Sequence, residues 1–82
     1  MPPTIAQQVG LAVRIVLMEQ GRQQSEIAEA LNLTDAAVSR RCHGSTAFRA
    51  DELLTISQLL GVPVQRFYER ALADRPAPTP AA

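Results

Sequence analysis

Along this chain apolar residues return every three or four positions, and no stretch alternates apolar with polar residues as a half-buried strand does. The pattern predicts an all-α protein of five helices. Pro2 and Pro3 precede Thr4, and Gln7 follows three residues later, the spacing of a capping box. A first helix over residues 4–20 would then end at Gly21, which can take the left-handed conformation that follows many helices. Ile27, Ala28 and Leu31 predict a short second helix over residues 24–31, broken by Asn32-Leu33-Thr34. Thr34 is placed to cap a third helix and Asp35 to favour its dipole, with Val38 and Cys42 on the inner face and Gly44 at the end. After a loop over residues 45–48, Asp51 and Glu52 open a fourth helix carrying Leu53, Leu54, Ile56, Leu59 and Leu60, stopped by Gly61. Pro63 opens a fifth, with Val64, Phe67, Tyr68, Ala71 and Leu72. The folded domain is expected over residues 4–74, and the Pro/Ala segment 75–82 is expected to be a disordered tail.

The first helix has two features that a simple surface helix lacks. Ile5, Val9, Ala12, Val13 and Val16 form one apolar stripe, while Leu11, Ile15 and Met18 form a second, well over 100° away around the axis. Either the fifth helix folds back over the second stripe, or Leu11, Ile15 and Met18 join Tyr68 and Leu72 in a contact with a second copy of the chain. A two-fold dimer of that kind would suit a thin core, because it buries more apolar surface. Gly10, inside the same helix, costs about 1 kcal/mol relative to alanine. Either another helix approaches closely there, or the helix begins later.

Composition narrows the class. Eighty-two residues make one domain, and a chain this short buries only about 60% of its unfolded surface. The 46% apolar content is too high for a disordered chain. A single cysteine excludes an internal disulfide and fits a reduced, cytoplasmic compartment. The start has no basic-then-apolar signal pattern, and the longest aliphatic run, residues 15–18, is far too short to span a bilayer. Eight arginines balance eight carboxylates, with no lysine, which argues against a general polyanion binder. The balance is local, however: between Ala36 and Ala50 the charges are Arg40, Arg41 and Arg49, with no acid among them.

Two short helices joined by a tight turn have the steric pattern of a helix-turn-helix unit. Ala28 is the small residue where the helices cross, Asn32 the left-handed-tolerant residue four positions later, and Ile27, Leu31, Leu33 and Val38 the apolar flanks. Any helical hairpin needs similar contacts, so this pattern alone leaves a plain bundle open. The longer segments say more. Residues 20–34 (Gln-Gly-Arg-Gln-Gln-Ser-Glu-Ile-Ala-Glu-Ala-Leu-Asn-Leu-Thr) resemble the start of the phage repressor/Cro (XRE-like) helix-turn-helix family. Val-Ser-Arg-Arg-Cys-His-Gly (38–44) and Asp-Glu-Leu-Leu-Thr-Ile-Ser-Gln-Leu-Leu-Gly-Val-Pro (51–63) continue the resemblance in register. It extends from about Val9 to Phe67 and is similar in character to small regulators of actinobacterial phages.

The resemblance implies a five-helix, lambda-repressor-like domain that binds a double-stranded DNA operator in a bacterial cell, represses by occlusion, and carries no catalytic residue, cofactor, metal or small-molecule substrate. It implies that Asp35, Ala36, Ser39 and Arg40 read bases, with Arg40 able to bond guanine O6 and N7 together. Gln24, Arg41, His43 and Arg49 are the implied phosphate contacts, with exposed surface charge as the alternative for Arg41 and Arg49. Asn32 replaces the commoner glycine, and Gln23 stands where Ser or Thr would cap the second helix. Arg41 occupies an often apolar position, and either reaches DNA or lies along the surface. Cys42 beside His43 is better read as a small buried hydrophobe than as a nucleophile, because helix neighbours point about 100° apart. Phe48 is expected to cap the core rather than stack on a sugar. Two other binding roles use the same fold: an antitoxin holding a toxin partner, for which the tail is short and polar, and a protein-interaction module, which the zero net charge leaves open.

Overall fold

The computed structural model describes residues 1–73; the expected tail over 75–82, and Asp74 at the expected domain boundary, lie outside the described residues. Helix α1 (Ile5–Gln20) starts as its spacing predicts. The Thr4 hydroxyl accepts from the Gln7 amide at 3.0 Å, and the Gln7 side-chain oxygen accepts from the Thr4 amide at 2.8 Å, so each satisfies an orphan donor of the other. Gly21 closes it in the left-handed conformation. Helices α2 (Gln24–Leu31) and α3 (Asp35–Cys42) are joined through Asn32, whose φ of 55° makes it the one non-glycine with positive φ among the described residues. The Asn32 turn lets the Leu33 amide donate back to the Ala28 carbonyl at 2.9 Å, and the Thr34 hydroxyl then caps α3 through the Ala37 amide. Helix α4 (Ala50–Leu60) ends at Gly61.

The expected fifth helix divides. Residues Val64–Phe67 wind as a 3-10 turn, Tyr68 interrupts it, and helix α5 covers Glu69–Ala73. The tighter winding eclipses positions three apart. It therefore brings half-buried Val64 and fully buried Phe67 onto one side, against the core. Ala71 of α5 is buried as well.

The core gathers Val13, Val16, Ile27, Val38, Cys42, Leu53, Ile56 and Phe67, each at most 2% exposed. Phe48 is half-buried against it, in the core-capping place expected of it. Helix α1 packs on α3, on the 3-10 turn and on α5, while α2 packs on α3 and α4. Gly10 resolves the question its helix raised: a Cβ there would lie 2.6 Å from the Arg41 carbonyl oxygen and nearer still to that of Cys42. The C-terminal turn of α3 rests directly on the α1 backbone, and only glycine leaves room. Gly44, at φ 81°, continues this close approach over Gln7. Two side chains then bolt the α1–α2 junction to the end of α4. Gln20 donates to the Leu60 carbonyl at 2.8 Å and Arg22 to that of Leu59 at 2.9 Å, satisfying carbonyls the helix end leaves open.

Candidate nucleic-acid interface

Helix α3 has two distinct sides. Val38 and Cys42 are 0% exposed and anchor it, whereas Asp35, Ala36 and Arg40 are exposed and Ser39 is half-buried. At about 100° per residue, positions 35, 36, 39, 40 and 43 share the outward face. All four expected base-reading residues therefore lie together. Among the described residues the Arg40 guanidinium has no hydrogen-bond or ion-pair partner, while its carbonyl accepts from Ser45 and Thr46. His43 caps the C-terminal end of α3, exposed, with Nδ1 2.9 Å from the Ser39 carbonyl, so that Nε2 remains for another partner.

The expected phosphate contacts have different surroundings. Gln24 is the first residue of α2 and half-buried. Just before it, Glu26 accepts from the Gln23 amide at 2.9 Å, which compensates for the missing Ser or Thr cap. That bond, with Arg22 nearby, holds the Glu26 carboxyl below the usual carboxylate range despite the opposing effect of desolvation. Arg49 is exposed, and its 3.2 Å contact with Asp51 leaves both side chains about 70% in solvent, where such a pair contributes roughly 0–1 kcal/mol. Arg41 is in another setting. Its Nε lies 3.1 Å from Glu52 Oε1, its Nη1 donates to the Ala37 carbonyl, and it is half-buried between α3 and α4. Glu52 was legible in the sequence only as a first-turn acid.

Cys42 and His43 point apart, as helix geometry requires, one buried and one exposed. Burial pushes the Cys42 thiol up to about 11, with the Arg14 charge opposing, so it is neutral and inert at physiological pH. Among the described residues no three His, Cys, Asp or Glu side chains are grouped to hold a metal ion, and no helix is long and apolar enough to cross a membrane.

The residues expected at a dimer contact are spread. Leu11, Ile15 and Tyr68 are half-buried, while Met18 and Leu72 are 77% and 68% exposed. Arg66 of the 3-10 turn reaches across to Glu19 at 2.8 Å, and Ile15 lines a small hollow with Arg66 and Arg70. The chain after Pro63 thus covers part of the second α1 stripe. Two arginines that sequence reading did not single out also emerge: Arg14 and Arg70 line a cleft with His43. Nothing in local spacing marks them, because α1, α3 and α5 meet there only in the folded chain.

The sequence pattern of the helix-turn-helix family matches residues 13–67. Two proteins described as uncharacterized HTH-type transcriptional regulators, one from Sinorhizobium medicae and one from Rhizobium meliloti, are each 33% identical over 73 residues. The match takes in 89% of this chain and 52% of each relative, so the chain spans about half their length. The fold is similar to that of the clp gene regulator ClgR from C. glutamicum, with a TM-score of 0.79 at 22% identity over 89% of this chain and 95% of that one. It is also similar to the DNA-binding domain of BldD, with a TM-score of 0.68 at 24% identity over 83% and 99% of the two chains. The chain belongs to the XRE-type helix-turn-helix family.

Proposed function

We propose that this chain is the sequence-specific, double-stranded-DNA-binding module of a transcriptional regulator, which occupies an operator and performs no catalysis. The observation that carries the proposal is the asymmetry of α3: a fully buried anchor of Val38 and Cys42 behind an outward face whose Arg40 guanidinium has no partner among the described residues. Asp35, Ala36, Ser39 and Arg40 would face base edges in the major groove. Arg40 would make the bidentate guanine contact, Ala36 a thymine methyl contact, and Asp35 a contact to a cytosine amine. Gln24, His43 and Arg49 would hold phosphates on either side. Arg41, tied to Glu52, would orient α3 more than it would reach DNA itself. The relatives' description as transcriptional regulators supports the same reading. Exposed Leu72, one helical turn from Tyr68, together with Met18, supports pairing of two copies, which would set two α3 helices about one DNA turn apart.

The test is selection of a preferred duplex, followed by binding of the Arg40→Ala variant to that duplex and to random DNA. Specific binding should weaken by about 1–3 kcal/mol and random binding by much less. An equal loss on both demotes Arg40 to a phosphate contact, and no preferred duplex at all overturns the proposal. Sedimentation with and without the selected duplex reads the pairing.

A further inference from the structure

Of the seven arginines among the described residues of this neutral protein, four are matched with a carboxylate: Arg22 with Glu26, Arg41 with Glu52, Arg49 with Asp51 and Arg66 with Glu19. Among the described residues Arg14 and Arg70 have no such partner, and both line one cleft. The cleft lies between the N-terminal half of α1, the end of α3 and α5, encloses about 300 Å³, and includes Gln7, Leu11 and His43. No carboxylate lines it among the described residues. The Nε of Arg14 is closed off from solvent and has no hydrogen-bond acceptor among the described residues. A shielded guanidinium N–H without an acceptor is an unusual state, since such groups are normally satisfied. Cys42, near enough to feel the Arg14 charge, is kept as the neutral thiol by burial and supplies no counter-charge.

We propose that this cleft is a phosphate-binding site in which Arg14 and Arg70 hold the anion and His43 and Gln7 complete its rim. A phosphate group brings the negative charge that the two guanidinium groups lack among the described residues, and its oxygens match their planar donor forks. The volume is at the lower end of small-molecule sites, so a phosphate with a small substituent fits. The phosphate has two possible sources. The first is the DNA backbone: His43 stands at the end of the outward face of α3, and Arg14 also borders a hollow shared with Gln24 at the start of α2. The second is a small phosphorylated molecule entering from solution. The inference goes beyond the DNA-binding reading, and its first test does not depend on that reading.

In that test the full chain, labelled with ¹⁵N, is titrated with inorganic phosphate at constant ionic strength, and the arginine Nε–H resonances are followed. Arg14 should show a saturable shift, and Arg70→Gln, a change at an exposed position, should weaken the response about tenfold or more. Arg14→Lys, which keeps the charge and loses the fork, should bind with intermediate strength, read at the Arg70 Nε–H. No saturable shift at Arg14, or an Arg70→Gln response equal to that of the unmodified chain, overturns the proposal. The second measurement, salt dependence of duplex binding, separates the sources. A log–log slope shallower by about 1 in Arg70→Gln assigns the phosphate to DNA. An unchanged slope, with the phosphate response intact, assigns the site to a small phosphorylated ligand. A chain that fails to bind DNA at all overturns the DNA-binding reading and leaves the first titration to decide this one.

Discussion

The guanidinium of Arg41 and the carboxylate of Glu52 meet at 3.1 Å, with side chains only 16% and 12% exposed, and join α3 to the first turn of α4. The same carboxylate oxygen accepts from the Arg49 amide at 2.8 Å, the bond that caps α4. One side chain therefore starts a helix and fixes the angle at which its neighbour is presented. Little water reaches the pair, so salt will screen it far less than the exposed Arg49–Asp51 contact.

Replacing Glu52 by Gln keeps the shape and an acceptor for Arg49 but leaves the Arg41 charge half-buried and uncompensated. A loss of about 1–3 kcal/mol is expected, which for a domain of this size lowers Tm by roughly 4–8 °C per kcal/mol. Thermal unfolding followed by circular dichroism measures it. A Tm within a degree of the unmodified chain would show that the ion pair contributes nothing net.

Gly10→Ala sets helix propensity against packing. Alanine gains up to about 1 kcal/mol in a helix interior. Its Cβ, however, would lie 2.6 Å from the Arg41 carbonyl oxygen, and backbone atoms cannot swing away as a side-chain tip can. Net destabilisation of about 1–3 kcal/mol is expected, the range of an overpacked site. Gly21→Ala is the control: no atom lies within 4 Å, and the cost comes only from φ 65°, about 1–2 kcal/mol. Urea unfolding of the two variants separates a steric cause from a conformational one. A stabilised Gly10→Ala would mean that α3 does not rest on α1 as described.

How far these features were legible depends on the range over which each is decided. The caps at Thr4, Asn32 and Thr34 follow from residues within about four positions, so their spacing sufficed. The outward set of Asp35, Ala36, Ser39 and Arg40 was equally accessible, since the family resemblance placed it and the helical period centres it about 110° around the axis from Val38 and Cys42. The division of the last helix was not, because the 3-10 winding serves the burial of Phe67 against distant elements. Glu19–Arg66, 47 positions apart, and Arg41–Glu52, 11 apart, likewise depend on how helices cross. The same holds for the Arg14–Arg70 cleft, which no local pattern announces.

Alkaline pH should act through Cys42. Burial raises its thiol from 9.0 to about 11 in the folded chain. A raised folded value means that the folded state holds the proton more tightly. Its contribution is therefore complete below pH 9 and is lost as pH rises from about 9 to about 11. At about 1.4 kcal/mol per pKa unit the effect amounts to roughly 2–3 kcal/mol at most. Urea midpoints across that window should fall for the unmodified chain and stay flatter for Cys42→Ala. Equal slopes would show that the thiol does not titrate on unfolding.

The salt dependence of DNA binding ties the charge pattern to the proposed function. A neutral chain gains no attraction from net charge, so its affinity for DNA depends on how many cations are free to displace counterions from phosphates. Arg22, Arg41 and Arg66 are held by carboxylates, Arg41 in a largely shielded contact, Arg22 in a partly buried one and Arg66 in a more exposed one. Arg49 is held only loosely in solvent, and Arg14, Arg40 and Arg70 have no carboxylate partner among the described residues. Gln24 can contact a phosphate but releases no counterion. Among the described residues three to four cations, with Arg40 in the groove and the others at phosphates, predict a log–log slope of about −3 to −4 per subunit bound. That is shallow beside a basic domain of the same size, which would lose affinity for every sequence as salt rises. Anisotropy titrations on a selected duplex from low to moderate salt measure it. A slope near zero removes the DNA-binding reading, and a slope far steeper than −5 would mean that further cations join, either Arg22, Arg41 or Arg66 on leaving its carboxylate or Arg75 from outside the described residues.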